Sequence, residues 1–254
     1  MCLIFLSLQD HPRYKLIVAA NRDEFYRRKT TPADFWTDAP NVLAGRDLEA
    51  NGTWLGVART GRICLLTNYR DPKNIDPAAP SRGHLVSDFL QRDLTGEQYL
   101  SDIEADGKRY NGYNLLAGTF DELWYHSNYG QGIQRIQPGF HGLSNHLLNT
   151  PWPKVERGKD LLRPILQQEV LMPAELFEFL YDEHRAPDNQ LPDTGIGLER
   201  ERALSSMFIK SPDYGSRCST VILIDRQNHV QFSERVYDLA TFAHTTRDFE
   251  FDIV

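Results

Sequence analysis

The apolar run Leu3-Ile4-Phe5-Leu6 shows no polar alternation, which predicts a strand over residues 2–8 that is buried on both faces. Residues 9–13 form a turn by composition. The returning strand, 14–25, is apolar through Ala20 and then abruptly polar at Asn21-Arg22-Asp23-Glu24. Residues 26–41 read as a loop, with Pro32, Pro40 and a basic cluster at Arg27-Arg28-Lys29. A hairpin is predicted over 54–58 and 62–68 across Thr60-Gly61, followed by a Pro- and Asp-rich loop over 71–81. Helical periodicity places Leu85, Val86, Phe89 and Leu90 on one face of a helix over 83–92, and a second helix is expected over 97–109.

Strands follow at 113–119, 123–127 and 133–136, then helices at 153–168 and 173–183. Residues 185–197 hold several breakers and read as an exposed excursion before a short helix over 198–207. A hairpin over 218–225 and 229–236 closes the pattern. The order lacks the regular strand–helix alternation of a parallel doubly wound fold, and no glycine-rich phosphate loop occurs. Repeated hairpins call for antiparallel sheets, and amphipathic helices must cover them. The expectation is an α+β fold, a four-layer αββα sandwich of two stacked antiparallel sheets under helices, as a single domain over 1–254.

Composition narrows the partners. The 254 residues are 41% apolar and 25% charged, with a net charge of -7, so nucleic acid and anionic membrane surfaces are poor bulk partners. No stretch reaches the roughly 20 apolar residues of a membrane span. The first residues lack a basic region and a cleavage site, which argues against a signal peptide. Three scattered cysteines give no disulfide framework and no zinc spacing. The expected setting is cytoplasmic, with a small-molecule substrate or ligand; the oligomeric state stays open.

Cys2 carries the most informative chemistry. Removal of Met1 would leave Cys2 with a free α-amine, whose pKa of about 7.7–8.0 suits it to take the proton of a thiol near 8.5. That is a self-contained nucleophile of the N-terminal hydrolase kind. The competing reading is a small core residue in an apolar strand, which is the expectation for Cys64 and Cys218. The polar end of the second strand implies a cleft or a sheet edge. Strict alternation pairs Asn21 with Asp23 on one face and Arg22 with Glu24 on the other. Asn68 and Asn145 each stand where a strand runs into a turn, so their amides could donate to an oxyanion or bond their own backbone. Arg217 opens a late strand and serves either as a charge stabiliser or as a rim residue. None of the eight histidines forms a metal-ligand spacing; His141 and His146 bracket a turn at 142–145.

Met1-Cys2 opening one strand and Asn21-Arg22-Asp23-Glu24 ending the next resembles the NRDE family, also called the transport-and-Golgi-organisation family. The resemblance continues through Gly45-Arg46-Asp47, Asn51-Gly52-Thr53-Trp54-Leu55-Gly56, Leu66-Thr67-Asn68-Tyr69-Arg70, Tyr113-Asn114-Leu115-Leu116, Gly142-Leu143-Ser144-Asn145 and Ser219-Thr220-Val221. That family is similar to N-terminal-nucleophile hydrolases of the choloylglycine-hydrolase and penicillin-acylase type. In those, a terminal cysteine attacks an amide with the help of an arginine, an aspartate and asparagines. The resemblance implies a cofactor-free cysteine amidohydrolase with Cys2, Arg22, Asp23, Asn68, Asn145 and Arg217 as catalytic residues. Asn21, Glu24, Arg46, Trp54, Arg70 and His146 would then surround the ligand. The chain departs from the choloylglycine pattern in one respect: there the arginine and aspartate are separated by two residues, whereas Arg22 and Asp23 are contiguous. The family association also implies an alternative, a haem-binding or haem-trafficking carrier without hydrolysis. Cys2 or a histidine would then be the axial ligand, and Arg22, Arg46, Arg70 and Arg217 would lie on the rim. A purely structural or adaptor role is a third possibility.

Overall fold

The structure is a computed structural model that describes residues 2–253. In chain order its strands are β1 (Cys2–Leu8), β2 (Tyr14–Phe25), β3 (Thr30–Phe35), β4 (Val42–Asp47), β5 (Leu55–Ala58), β6 (Arg62–Asn68), β7 (Tyr113–Thr119), β8 (Leu123–Ser127), β9 (Gln134–Arg135), β10 (Gly139–Leu143), β11 (Tyr214–Asp225), β12 (His229–Tyr237) and β13 (His244–Asp252). The α-helices are α1 (Gly83–Gln91), α2 (Gly96–Asp106), α3 (Pro153–Ile165), α4 (Pro173–Leu180) and α5 (Leu198–Ala203).

The strands form two antiparallel sheets. One has six strands in the order β10-β1-β2-β11-β12-β13, and the other has seven, running from β3 to β9 in sequence order. Period-two alternation divides the apolar side chains into three layers. Ile4, Leu6, Val18 and Ala20 meet Leu55, Val57, Leu65 and Leu116 between the sheets. Leu3, Phe5, Ile17 and Ala19, on the other face of the same strands, pack under Val155 and Leu162 of α3 and Leu176 and Leu180 of α4. On the seven-stranded sheet, Val42, Ala44, Cys64 and Leu115 pack under Leu85 and Phe89 of α1 and Tyr99 and Leu100 of α2. This is the four-layer αββα sandwich the hairpins imply. β1 reads as a continuous apolar run because both of its faces are covered. Gly158 marks how closely α3 lies on β1: a Cβ there would sit 2.0 Å from the Phe5 ring.

Several expectations need correction. The loop assigned to 26–41 contains β3, an edge strand that Pro32 disguises. Its pairing with β4 slips between Thr31 and Asp34, which is where a proline is tolerated. The turn assigned to 142–145 begins inside β10, where Gly142 and Leu143 pair with Phe5 and Ile4. β13 lies beyond the last predicted hairpin; it is a mostly exposed edge strand that turns Phe249 and Phe251 toward the core. The helices over 97–109 and 198–207 stop at Asp106 and Ala203. Among the described residues no helix is long and apolar enough to cross a membrane.

Candidate active site

Cys2 pairs with Arg22 across β1 and β2, and Arg22 pairs with Cys218 of β11, so the inter-sheet alternation carries Cys2 and Arg22 to one side. Alternation alone would turn Asp23 away from them. The ladder is broken at this point: Ser216 pairs with Asp23 and Cys218 with Arg22, leaving Arg217 as the extra residue of a bulge. Bulges increase local twist and re-aim side chains. Here Arg22, Asp23 and Glu24 all border one cleft of about 280 Å³, together with Cys2, Trp54, Asn68 and Arg82. The contiguous Arg22 and Asp23 thus both border the cleft, beside the break in the ladder.

Cys2 is partly exposed. Burial raises its thiol above the ordinary value and the Asp23 charge adds to the rise, while Arg22 and the backbone N–H of Asp23 oppose it. A raised thiol stays protonated at neutral pH and needs a base to become a nucleophile. The Arg22 side chain is only 5% exposed. Its guanidinium lies 4.1 Å from the centre of the Trp54 ring, and Nη2 is 3.8 Å from Glu24. Among the described residues, Nη1 of Arg22 has no hydrogen-bond partner. Burial works against the Glu24 carboxylate, yet Arg22, the Phe25 N–H and Arg28 hold it below the usual range. Asp23 accepts a hydrogen bond from the Ser216 hydroxyl at 2.6 Å. Its carboxyl is raised chiefly by burial, against the pull of Lys154. Asn68 borders the cleft together with Cys2.

Other predicted residues fall outside the cleft. Asn145 is fully buried: its Nδ2 donates to Asn68 O at 3.0 Å, and its carbonyl accepts from Arg70 N at 2.8 Å. It therefore clamps the end of β6, the backbone-bonding alternative for a turn asparagine. Asn21 points under the helices and donates to the carbonyls of Leu180 and Met207, both at 2.9 Å. Arg46 follows Val42 and Ala44 onto the face under α1, where it grips Asp38 at 2.6 and 2.7 Å and covers the Trp36 ring. Arg70 pairs with Glu201 at 2.7 Å over Trp152. His146 bonds Thr150 at 2.9 Å and leans on Tyr69, with burial holding its ring below the usual value. Arg217 donates to the carbonyls of Phe25, Tyr26 and Arg28, bracing the turn after β2. It borders a separate cavity of about 80 Å³ behind the Arg22–Trp54 pair. Cys64 and Cys218 are core residues whose thiols burial raises well above the ordinary value.

The sequence reading missed Arg28, Arg82 and Lys154. Arg28 is held by Asp47 at 2.7 Å. Arg82 stands just before α1 and donates to Gly112 O at 2.7 Å, with burial lowering its guanidinium and Glu24 and Cys2 pulling it back. Lys154 is buried in the first turn of α3. An arginine next to the Gly83 that opens a helix was a weak signal for Arg82; nothing in the pattern marked Lys154. Among the described residues no three His, Cys, Asp or Glu side chains are grouped to hold a metal ion.

A family profile described as "Transport and Golgi organisation 2" matches residues 1–239. The chain is 38% identical over 275 aligned positions to the Mus musculus protein named Transport and Golgi organization 2 homolog, covering 100% of this chain and 99% of that one. It is 40% identical over 260 positions to the Bos taurus homolog, covering 92% of each. The Drosophila melanogaster protein of the same name is 31% identical over 264 positions, covering 92% of this chain and 91% of that one. Among solved structures, a mutant conjugated bile acid hydrolase from Clostridium perfringens superposes with a TM-score of 0.53 at 8% identity, over 99% of this chain and 92% of that one. A Caenorhabditis elegans ortholog of N-acylethanolamine-hydrolyzing acid amidase gives 0.50 at 9% identity, over 87% and 92%. At such identities the likeness is one of fold, the N-terminal-nucleophile-hydrolase sandwich.

Proposed function

The chain belongs to the transport and Golgi organisation 2 family, and from that premise and the cleft at Cys2 we propose that it is an N-terminal-cysteine hydrolase of a small amide. The observation that carries the proposal is that Cys2, Arg22, Asp23 and Asn68 all border one cavity. Two fold neighbours whose names describe hydrolases of conjugated bile acids and N-acylethanolamines add support by analogy.

The reaction requires loss of Met1. The freed α-amine of Cys2 takes the Sγ proton, and the thiolate attacks the amide carbonyl. The carbonyl π electrons move to oxygen, and the Asn68 amide donates to that oxyanion. Collapse re-forms the carbonyl and breaks the C–N bond as the ammonium returns its proton to the leaving amine. The product is an S-acyl Cys2. Water then attacks the thioester and passes its proton to the α-amine; a second collapse expels the thiolate, which recovers a proton, and the carboxylic acid leaves. Arg22, stacked on Trp54, supplies positive charge beside the sulfur throughout.

The test is an acid-quench trap on the Met-free protein with a panel of chromogenic N-acyl anilides. The proposal expects an acyl adduct mapped to the Cys2 peptide and absent in Cys2→Ala. No adduct and no anilide cleavage across the panel would overturn it. The haem-carrier alternative finds less support. His146, a candidate axial ligand, is already bonded to Thr150 at 2.9 Å. No step is assigned to haem.

A further inference from the structure

We infer that a cavity between Arg70 and Lys154 binds one monatomic anion of chloride size, which ties the start of α3 to the chain leaving β6. The inference does not depend on the reading of Cys2. Both cations line this small cavity together with Trp152, Pro192 and Glu201. Lys154 is only 3% exposed and the Arg70 side chain 6%. Among the described residues, Lys154 Nζ and Arg70 Nε and Nη2 are buried without a hydrogen-bond partner. Burying charged donors in this way is costly unless a negative charge meets them.

The carboxylates near these cations are already engaged. Glu201 takes Arg70 Nη1 at 2.7 Å through one oxygen, and the Thr194 N–H and hydroxyl at 2.8 and 2.5 Å through the other. Asp23, which also acts on Lys154, borders the Cys2 cleft and accepts the Ser216 hydroxyl at 2.6 Å. The cavity wall therefore carries two cations against one carboxylate. The Arg70 guanidinium lies 4.7 Å from the centre of the Trp152 ring, so the indole and Glu201 together fix its position. Nε and Nη2 share the remaining edge of that plane and donate in parallel, a fork suited to chelating an anion. Lys154 stands in the first turn of α3, whose positive dipole end adds to the same field. Size then selects the anion. The cavity measures about 10 Å³, room for about one water-sized sphere. A carboxylate, phosphate or sulfate is too large, whereas a halide is a single atom. A water would satisfy the donors but leave the charge unbalanced.

The experiment is urea denaturation of the full chain at about pH 6.5, where Lys154, lowered by burial to about 8, still carries its charge. Sodium chloride is exchanged for sodium gluconate at constant ionic strength in the parent, in Lys154→Met and in Arg70→Lys. The parent's folding constant is expected to rise with chloride, by about tenfold for each tenfold of chloride above its Kd. Lys154→Met removes one cation, and Arg70→Lys removes the fork while keeping the charge; both are expected to lose most of that response. In gluconate Lys154→Met is expected to be the more stable protein, and chloride should narrow its lead. A parent equally stable in chloride and gluconate would overturn the inference, as would a chloride response that both variants share in full. If one variant does not fold, the other is read by the same criterion. If neither folds, parent crystals grown in sodium bromide decide: an anomalous peak against Arg70 Nε and Lys154 Nζ is expected, and a cavity without one would overturn the site.

Discussion

Replacing Lys154 by methionine should make the protein more stable, and the gain should depend on pH. Burial drives the Lys154 ammonium from an ordinary 10.5 down to about 8. At about 1.36 kcal/mol per pH unit, that drop corresponds to roughly 3 kcal/mol of destabilisation carried by the folded state. The folded pKa is lowered, so between about pH 8 and 10.5 the unfolded chain binds more protons than the folded one. The lysine's penalty is therefore complete below pH 8 and disappears as pH rises through that window. Lys154→Met removes the penalty but also deprives Asp23 of its strongest opposing charge. The net gain at pH 7 is then expected at about 1–3 kcal/mol, or several degrees in Tm for a chain of this length. Urea denaturation of parent and variant from pH 6 to pH 10.5 measures it. The two curves should converge toward the alkaline end. A variant less stable than its parent at pH 7, or a difference that does not change with pH, would refute the argument that Lys154 is buried at a cost.

Other expectations follow from the same geometry. Cys2→Ala should abolish iodoacetamide labelling of the native protein while changing stability by less than about 1 kcal/mol, because Cys2 is partly exposed at the cleft; a larger loss in thermal melts would show Cys2 to be a core residue. Asn68→Ala should slow acyl-enzyme formation by about 10²–10³-fold in a quench assay with little change in Tm, as removal of one oxyanion donor does. Gly45→Ala should cost about 1–3 kcal/mol in urea denaturation, since its Cβ would lie 2.4 Å from the Trp54 ring that supports Arg22.

The double burial of β1 and β2 was legible because apolar runs without alternation need cover on both faces, and the hairpins implied antiparallel sheets. The polar end of β2 correctly marked a cleft. What periodicity could not convey was the bulge at Arg217, which arises between strands distant in sequence, beside the stretch of β2 that borders the cleft. Family motifs did not separate residues that face the cleft from residues that hold it. Asn68 and Asn145 look alike in sequence, yet one borders the cavity and the other clamps its backbone. Arg46 and Arg70 are placed by alternation and by a distant carboxylate on the outer, helix-covered faces. Lys154 escaped notice because nothing local distinguishes a buried lysine from a solvated one at a helix start. β3 and β13 were hidden by edge-strand chemistry, a proline in one and exposed charges in the other.

The central claim is that Cys2 acts with its own α-amine as base, and the mass of the N-terminal peptide from protein purified out of its native host tests it most directly. The account predicts a peptide that begins at Cys2, with Met1 absent. A peptide that retains Met1 on essentially every molecule would lock the amine in an amide bond and contradict the account.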